Sequence, residues 1–410
     1  MVSTVQLQHD IDCLVKHIPS SNSVTMGIFL DVGLPFEGQD QGGISHFLEH
    51  MCFRGTTNRT AYQITKEVDA LGGSINAYTS KEYTGYYITV LPEHTVQGLD
   101  ILADIVFHSQ HKDPDVVLEK SIIAEEIKMY EDTPDDKILD MLNAQLFNGS
   151  YLGAPILGTQ DSINTFNSNR LRDFYQHYFL PENIKIVVAG KVDDESKVVG
   201  HINQALSSVN MATSQTKRAS GEPQFKFGEY HESKPLEQHH VCMGFPSIQY
   251  NHPDRYAVTL LAIILGGSMS SRLFQSVREK EGLAYSIYST ASFYRDTGGF
   301  TVYAGTSTDT LDKAVDCINT ELHKIVDKGI TEEEFIRSKQ QLKGSVIINL
   351  EGSMAWVNWL GRQKIYNTGL ASIADIERLL DKVTLDDVRR ITKNTLLDTK
   401  KMFVTLGQKN

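Results

Sequence analysis

The sequence predicts an α+β protein made of two similar domains, each a mainly antiparallel sheet packed with helices, and three observations lead there. At 410 residues the chain exceeds one ordinary hydrophobic core, so two units of about 200 residues are expected. The stretch 207–223 is polar, poor in aromatics and without periodicity, which reads as a linker between a domain at 1–206 and a second at 224–410. On both sides of it the same order of strands and helices recurs, a repeat of pattern and not of identity, as an old duplication leaves it.

In the first half, the alternating apolar residues of 24–33 read as a strand. Thr60 is placed to cap a helix over 61–71 that Gly72-Gly73 ends, and 74–80 and 85–91 follow as two more strands. Helices are expected over 95–107 and from Asp113-Pro114, where an aspartate cap precedes proline at the first helical position. In the second half, strands are expected at 241–244, 285–291 and 299–304, with helices from about Asp254, Thr310 and Thr331. The last begins Thr-Glu-Glu-Glu, a capping-box pattern.

Composition narrows the function classes. A hydrophobic content of 40% with 22% charged residues is that of a soluble globular chain, and no apolar run is long enough to span a membrane. The opening residues lack the basic patch and apolar stretch of a secretory signal, so a cytoplasmic location is expected. Cys13, Cys52, Cys242 and Cys317 are too dispersed for a disulfide framework or a thiolate zinc site, and buried thiols are expected. A net charge of -12 disfavours nucleic acid or an anionic membrane as partner, since binding there depends on Lys and Arg.

The chemistry starts at His46-Phe47-Leu48-Glu49-His50. On a helix, groups at i, i+3 and i+4 share one face, so two imidazoles and a carboxylate can meet one metal ion and its water. Catalytic zinc usually takes three protein ligands, so a third must come from elsewhere. The helix after Pro114 offers Glu119 and Glu126, seven residues apart on one stripe, whereas Glu125 points about 100° away. Both stripe carboxylates have apolar neighbours, and a buried glutamate needs a cation to stay ionised. Elsewhere, His239-His240 beside a strand and Trp356 and Trp359 at i and i+3 are most simply structural.

The segment 42–56, Gly-Gly-Ile-Ser-His-Phe-Leu-Glu-His-Met-Cys-Phe-Arg-Gly-Thr, resembles the signature of the pitrilysin-type (M16) zinc metallopeptidases. The resemblance continues through 71–79, 151–159 and 282–286 and covers essentially the whole chain, whose length fits the short branch that includes mitochondrial processing peptidases and their bacterial relatives. It implies one zinc per chain held by His46, His50 and Glu126, the last standing 76 residues past His50 where the family has its third ligand. Glu49 would be the general base for the attacking water, and Glu119 would orient a ligand. Residues 74–80 would be the substrate-binding edge strand, with Asn76 and Ala77 as contacts. Arg278 and Tyr285 match a pair that the family aims at the substrate carbonyl.

The family also implies a clam-shell chamber of which a chain this short is half. The pair in the second domain, which has no H-x-x-E-H, would then act in trans within a homodimer or a heterodimer with a homologous chain. The function implied is a zinc-dependent endopeptidase acting on extended peptides or unfolded segments. The alternatives are a subunit active only with a homologous partner and a non-catalytic structural subunit. Two departures bear on specificity: Leu34 replaces the usual small residue after Gly33, and the usual asparagine-glycine turn near the start is absent.

Overall fold

The computed structural model describes residues 2–207, 218 and 223–408. The expected linker therefore lies, except for Ser207, Arg218 and Pro223, outside the described residues. The strands are β1 (Val2–Gln6), β2 (Asp12–His17), β3 (Val24–Leu30), β4 (Ser74–Thr79), β5 (Thr84–Val90), β6 (Ile184–Gly190), β7 (Gly228–Ser233), β8 (Gln238–Ser247), β9 (Ala284–Phe293), β10 (Gly298–Ser307) and β11 (Met402–Gly407). The first helices are α1 (Ile44–Met51), α2 (Ala61–Ala70), α3 (Thr95–Phe107), α4 (Asp113–Glu131), α5 (Pro134–Leu146), α6 (Gln160–Asn164), α7 (Ser168–Tyr178) and α8 (Glu195–Ser207). They are followed by α9 (Arg255–Leu265), α10 (Leu311–Asp327), α11 (Glu332–Asn349), α12 (Ser353–Ile365), α13 (Ile373–Lys382) and α14 (Leu385–Thr395).

Two sheets form, with strand orders β1-β2-β6-β3-β5-β4 and β7-β11-β8-β10-β9. Without β1 their wiring is the same. In each, the first strand lies parallel to the last, β2 beside β6 and β7 beside β11, and the remaining pairs are antiparallel. In each, a hairpin forms the far edge with its first strand outermost, β4 in one sheet and β9 in the other. The expected α+β class and the likeness of the two halves are thus present in the structure.

Chain order and packing part company at two helices. One compact unit comprises the described residues of 1–128, 155–220 and 349–370, and the other those of 129–154, 221–348 and 371–410. The expected sequential division does not describe these units, because α5 packs on β8 and β11 while α12 packs on β3 and β6. These two helices hold corresponding places, α5 after α4 and α12 after α11, so each half lends its sister half the same helix. The seats correspond as well. Gly27 lies in Val24-Thr25-Met26-Gly27 and Gly244 in Val241-Cys242-Met243-Gly244. A Cβ at Gly27 would stand 2.5 Å from Val357 Cγ1, and one at Gly244 would stand 2.7 Å from Leu142 Cδ1. Glycine is there because a helix rests directly on the strand.

Burial follows from this layering. β3 is buried at all seven of its residues, since α3 covers one face of the sheet and α12 the other. The N-terminal ends of both exchanged helices are held by polar side chains: Ser353 Oγ lies 2.8 Å from Thr25 Oγ1, and Asp135 Oδ1 accepts from the Tyr303 hydroxyl at 2.7 Å. Asp135 Oδ1 also lies 3.0 Å from His240 Nδ1, which gives His240 the structural place expected of it. Trp356 and Trp359 pack edge to face in α12 with ring centroids 5.1 Å apart.

Local signals hold at the helix starts, with the Thr60–Gln63 capping box on α2 and the reciprocal Thr331–Glu334 bonds before α11. Asp113 differs: α4 already includes it, Val116 N–H bonds the Lys112 carbonyl at 2.9 Å, and the Asp113 carboxylate accepts from Ser168 instead of capping. All four cysteines are free thiols, three buried and Cys317 half-buried. Among the described residues, no helix is long and apolar enough to cross a membrane.

The seat of α12 is testable by a double-mutant cycle read from urea-unfolding midpoints. Gly27→Ala is expected to destabilise the chain by about 1–3 kcal/mol through overpacking. In the Val357→Ala background its cost should fall by about 1 kcal/mol, the coupling of two touching residues. Strictly additive costs would mean that α12 does not rest on β3.

Candidate metal centre

The centre is built on α1, whose start is set by two glycine backbones in contact. Gly43 has φ of +89°, and a Cβ there would stand 2.5 Å from the Leu157 carbonyl oxygen. Gly158, φ +72°, is equally bound, since its Cβ would meet the Gly42 carbonyl oxygen at 2.3 Å. Ser162 Oγ donates to that same oxygen at 2.7 Å. Only glycine permits this approach at positions 43 and 158, whereas a Cβ at Gly42 would meet nothing closer than Ser162 Oγ at 3.9 Å.

From this start α1 runs buried except at His50, with Phe47, Leu48 and Met51 in the core and His46 and Glu49 at 7% and 9% exposure. The His46 and His50 ring centroids are 4.5 Å apart. α4 supplies the rest: Glu126 Oε1 lies 3.7 Å from His46 Nε2, and Glu126 Oε2 lies 3.5 Å from His50 Nε2. One ligand atom from each of the three residues falls within 4.8 Å of the other two, the sole such group among the described residues. At a tetrahedral zinc with bonds of about 2.1 Å, donor atoms stand roughly 3.4 Å apart, so this nitrogen and oxygen set fits the ion.

The neighbours orient and charge the donors. His50 Nδ1 lies 2.7 Å from Glu119 Oε1, and Arg54 Nε donates to Glu119 Oε2. Burial works against the Glu119 charge, but these two partners hold its carboxyl below the usual range. Glu119 therefore accepts and His50 Nδ1 carries a proton, so that once the ring is neutral its lone pair is the one on Nε2. Burial, aided by His50, pulls His46 down to about 3, so its imidazole is neutral. For His50 burial acts downward too, yet the Glu119 bond and the nearby carboxylates outweigh it and the pKa rises. Among the described residues, His46 Nδ1 is buried without a hydrogen-bond partner.

Glu49 stands apart from the three donors. Thr79 Oγ1 donates to Glu49 Oε2 at 2.5 Å. Burial nevertheless pushes the Glu49 carboxyl above its ordinary value, against that bond and the His50 charge, which moves a base toward neutral pH. Burial raises Glu126 as well, opposed by His50.

Thr79 is the last residue of β4, so the strand carrying Asn76 and Ala77 ends on Glu49. β4 is the outer strand of its sheet, with Asn76 opposite Tyr87 and Ala77 opposite Tyr86 on β5. Ala77 N–H donates to Asn76 Oδ1 at 2.9 Å. In the other unit, Arg278 Cζ sits 5.2 Å from the Tyr285 ring centroid and 4.8 Å from that of Phe274. Tyr285, near the start of the edge strand β9, is 78% exposed. The fold thus groups His46, His50, Glu126, Glu119, Glu49 and the end of β4 in one unit, and Arg278 with Tyr285 in the other.

Sequence reasoning left Arg54 and Thr79 without roles. Arg54 lies four residues past His50, a spacing that could have suggested a shared carboxylate. Thr79 meets Glu49 only through the pairing of β4, and no local signal marks it.

Comparison with known proteins agrees along the chain. Residues 13–160 match the family model described as Insulinase (Peptidase family M16), and residues 165–342 match that described as Peptidase M16 inactive domain. The chain is 37% identical over 394 residues to an uncharacterized zinc protease of Bacillus subtilis, YmxG, covering 96% of this chain and 95% of the relative. It is 36% identical over 395 residues to an uncharacterized zinc protease of Streptomyces coelicolor, covering 93% and 84%. In fold it is similar to a Pseudomonas fluorescens structure described as a peptidase M16 inactive domain, with TM-score 0.92, 19% identity and coverage of 100% and 98%. A protease from Helicobacter pylori is similar with TM-score 0.90, 22% identity and 99% of both chains. A chain of complex III2 from Candida albicans shares the fold with TM-score 0.85, 18% identity and coverage of 99% and 96%. Matched in both halves and aligned nearly end to end with its relatives, this chain belongs to the M16 peptidase family, in its short two-domain branch.

Proposed function

We propose that this protein is a zinc-dependent endopeptidase that cuts extended peptides or unfolded segments, holding one zinc through His46, His50 and Glu126. The convergence of those three donors beside a buried Glu49 carries the reading. Bound there, zinc supplies Lewis-acid polarisation of the scissile carbonyl and acidifies a water. Glu49 accepts the proton of the attacking water and returns it to the leaving amine. The Thr79 hydroxyl, donating to Glu49 Oε2, holds the carboxylate in place for that transfer. Glu119, itself held by Arg54, fixes the His50 tautomer.

The outer edge of β4 offers unpaired backbone groups to an extended peptide, which gives affinity with little demand on side chains. A substrate carbonyl at Ala77 N–H competes with Asn76 Oδ1 for that donor. In this reading a second copy, or a homologous chain, supplies Arg278 and Tyr285 as donors to the carbonyl oxygen as it gains charge. A non-catalytic subunit would have no need of the complete set His46, Glu49, His50 and Glu126.

The reading is tested on the purified chain with a quenched peptide library, zinc analysis and mass in solution. Glu49→Gln should keep its zinc and lose cleavage by a factor of about 10²–10⁴, the usual weight of a general base. A zinc-loaded wild type no more active than Glu49→Gln would rule out a stand-alone peptidase. Glu126→Gln is expected to lose zinc and activity together.

The arrangement in trans has its own test. Tyr285→Phe and Glu49→Gln chains, each inactive alone, should recover about a quarter of wild-type cleavage when mixed, because half of the random dimers carry one intact site of two. A mixture no better than its two components would place Tyr285 elsewhere.

A further inference from the structure

We infer that the Glu37 carboxylate caps the start of α1 from outside the helix and, through that cap, that Glu37 is a positioning residue for His46, Glu49 and His50; only its consequence for zinc rests on the peptidase reading. Helix starts leave backbone N–H groups without partners, and most are capped by a Ser, Thr, Asp or Asn at the N-cap position. α2, α6, α13 and α14 have such caps in Thr60, Thr159, Ser372 and Thr384. α1 cannot. Its N-cap is Gly43, and the φ of +89° together with the Leu157 carbonyl oxygen 2.5 Å from any Cβ excludes a side chain there.

Glu37 fills the vacancy from six residues upstream. Its Oε2 accepts from Gly43 N–H at 2.9 Å and its Oε1 from Ser45 N–H at 3.0 Å. The remaining early bonds are to backbone, Ile44 N–H to the Gln41 carbonyl and Phe47 N–H to the Gly43 carbonyl, both at 2.9 Å. A carboxylate also suits the positive end of the helix dipole. Ser45 immediately precedes His46, and α1 has only eight residues, so a cap at its first turn governs the seat of every chemical group it carries. Neither Ala nor Gln can replace this acceptor pair: Ala has no oxygen, and Gln turns an amide NH₂ toward one of the two N–H donors.

The test compares Glu37→Ala, Glu37→Gln and Thr384→Ala with the wild type, by thermal midpoint, by hydrogen exchange of residues 43–50 in the metal-free chain, and by zinc affinity against a chromophoric chelator. Thr384→Ala removes a cap of the same kind in the other unit and controls for general destabilisation. Both Glu37 variants are expected to speed exchange in α1 at least about tenfold and to weaken zinc about 10–100-fold, the usual effect of removing a group that holds a ligand in place. Thr384→Ala should lower the thermal midpoint and leave α1 exchange and zinc affinity unchanged. Should Glu37→Ala fail to fold, the milder Glu37→Gln decides the matter by the same readings. Unchanged α1 exchange overturns the cap; faster exchange with wild-type zinc affinity, or equal zinc loss in Thr384→Ala, overturns the positioning role. A wild type that binds no zinc sinks the peptidase reading instead, and the exchange measurement still decides the cap.

Discussion

Three glutamates and two histidines from α1 and α4 form one cluster, and the balance of their charges is the constraint on which the site depends. Arg54 neutralises Glu119, and His50 lies against both Glu119 and Glu126. Glu126 and Glu49 are left with carboxyl groups that burial raises. Keeping such groups ionised away from bulk water is costly unless a cation is near. A divalent ion at His46, His50 and Glu126, as proposed, would answer that demand, so the electrostatics and the donor geometry point the same way.

That cluster is only as good as the backbone beneath it. α1 is two turns long, and a helix of that length has little stability of its own. It is held by core contacts of Phe47, Leu48 and Met51, by the glycine contact with Leu157 and Gly158, and by the carboxylate of Glu37. Glu119 and Glu126 arrive on α4, which buries Val116, Glu119 and Ile123. The three proposed metal donors therefore sit on packed helices, and Glu49, the proposed general base, is tied to the end of the strand read as the peptide-binding edge.

Duplication explains what the two units share and where they differ. The wiring of the sheets, the outermost hairpin strand and the glycine seat for the exchanged helix occur twice. The metal motif occurs once. In the second unit the place between the second strand and the hairpin is filled by the apolar α9 and by the π-helix Phe274–Lys280 that carries Arg278, with Tyr285 at the start of β9. One unit keeps the donors for an ion, and the other presents a guanidinium and an exposed phenol.

The sequence by itself determined the elements and the chemical inventory. Period-2 and period-3.6 apolar patterns, Thr60 and Thr331 as caps, and the i, i+3, i+4 spacing of His46, Glu49 and His50 are local properties, legible because backbone geometry relates neighbours in sequence directly to faces and ends. Even Glu126 could be reached, since Glu119 and Glu126 share one helical stripe and the spacing from His50 resembles that of a known family. Tertiary structure alone decided the exchange of α5 and α12, the contact of Gly42 and Gly43 with Leu157 and Gly158, the bond of Thr79 to Glu49, and the service of Glu37 as cap. Each joins groups whose meeting depends on how separate elements pack, and no residue pattern encodes a partner that the fold brings in from elsewhere in the chain.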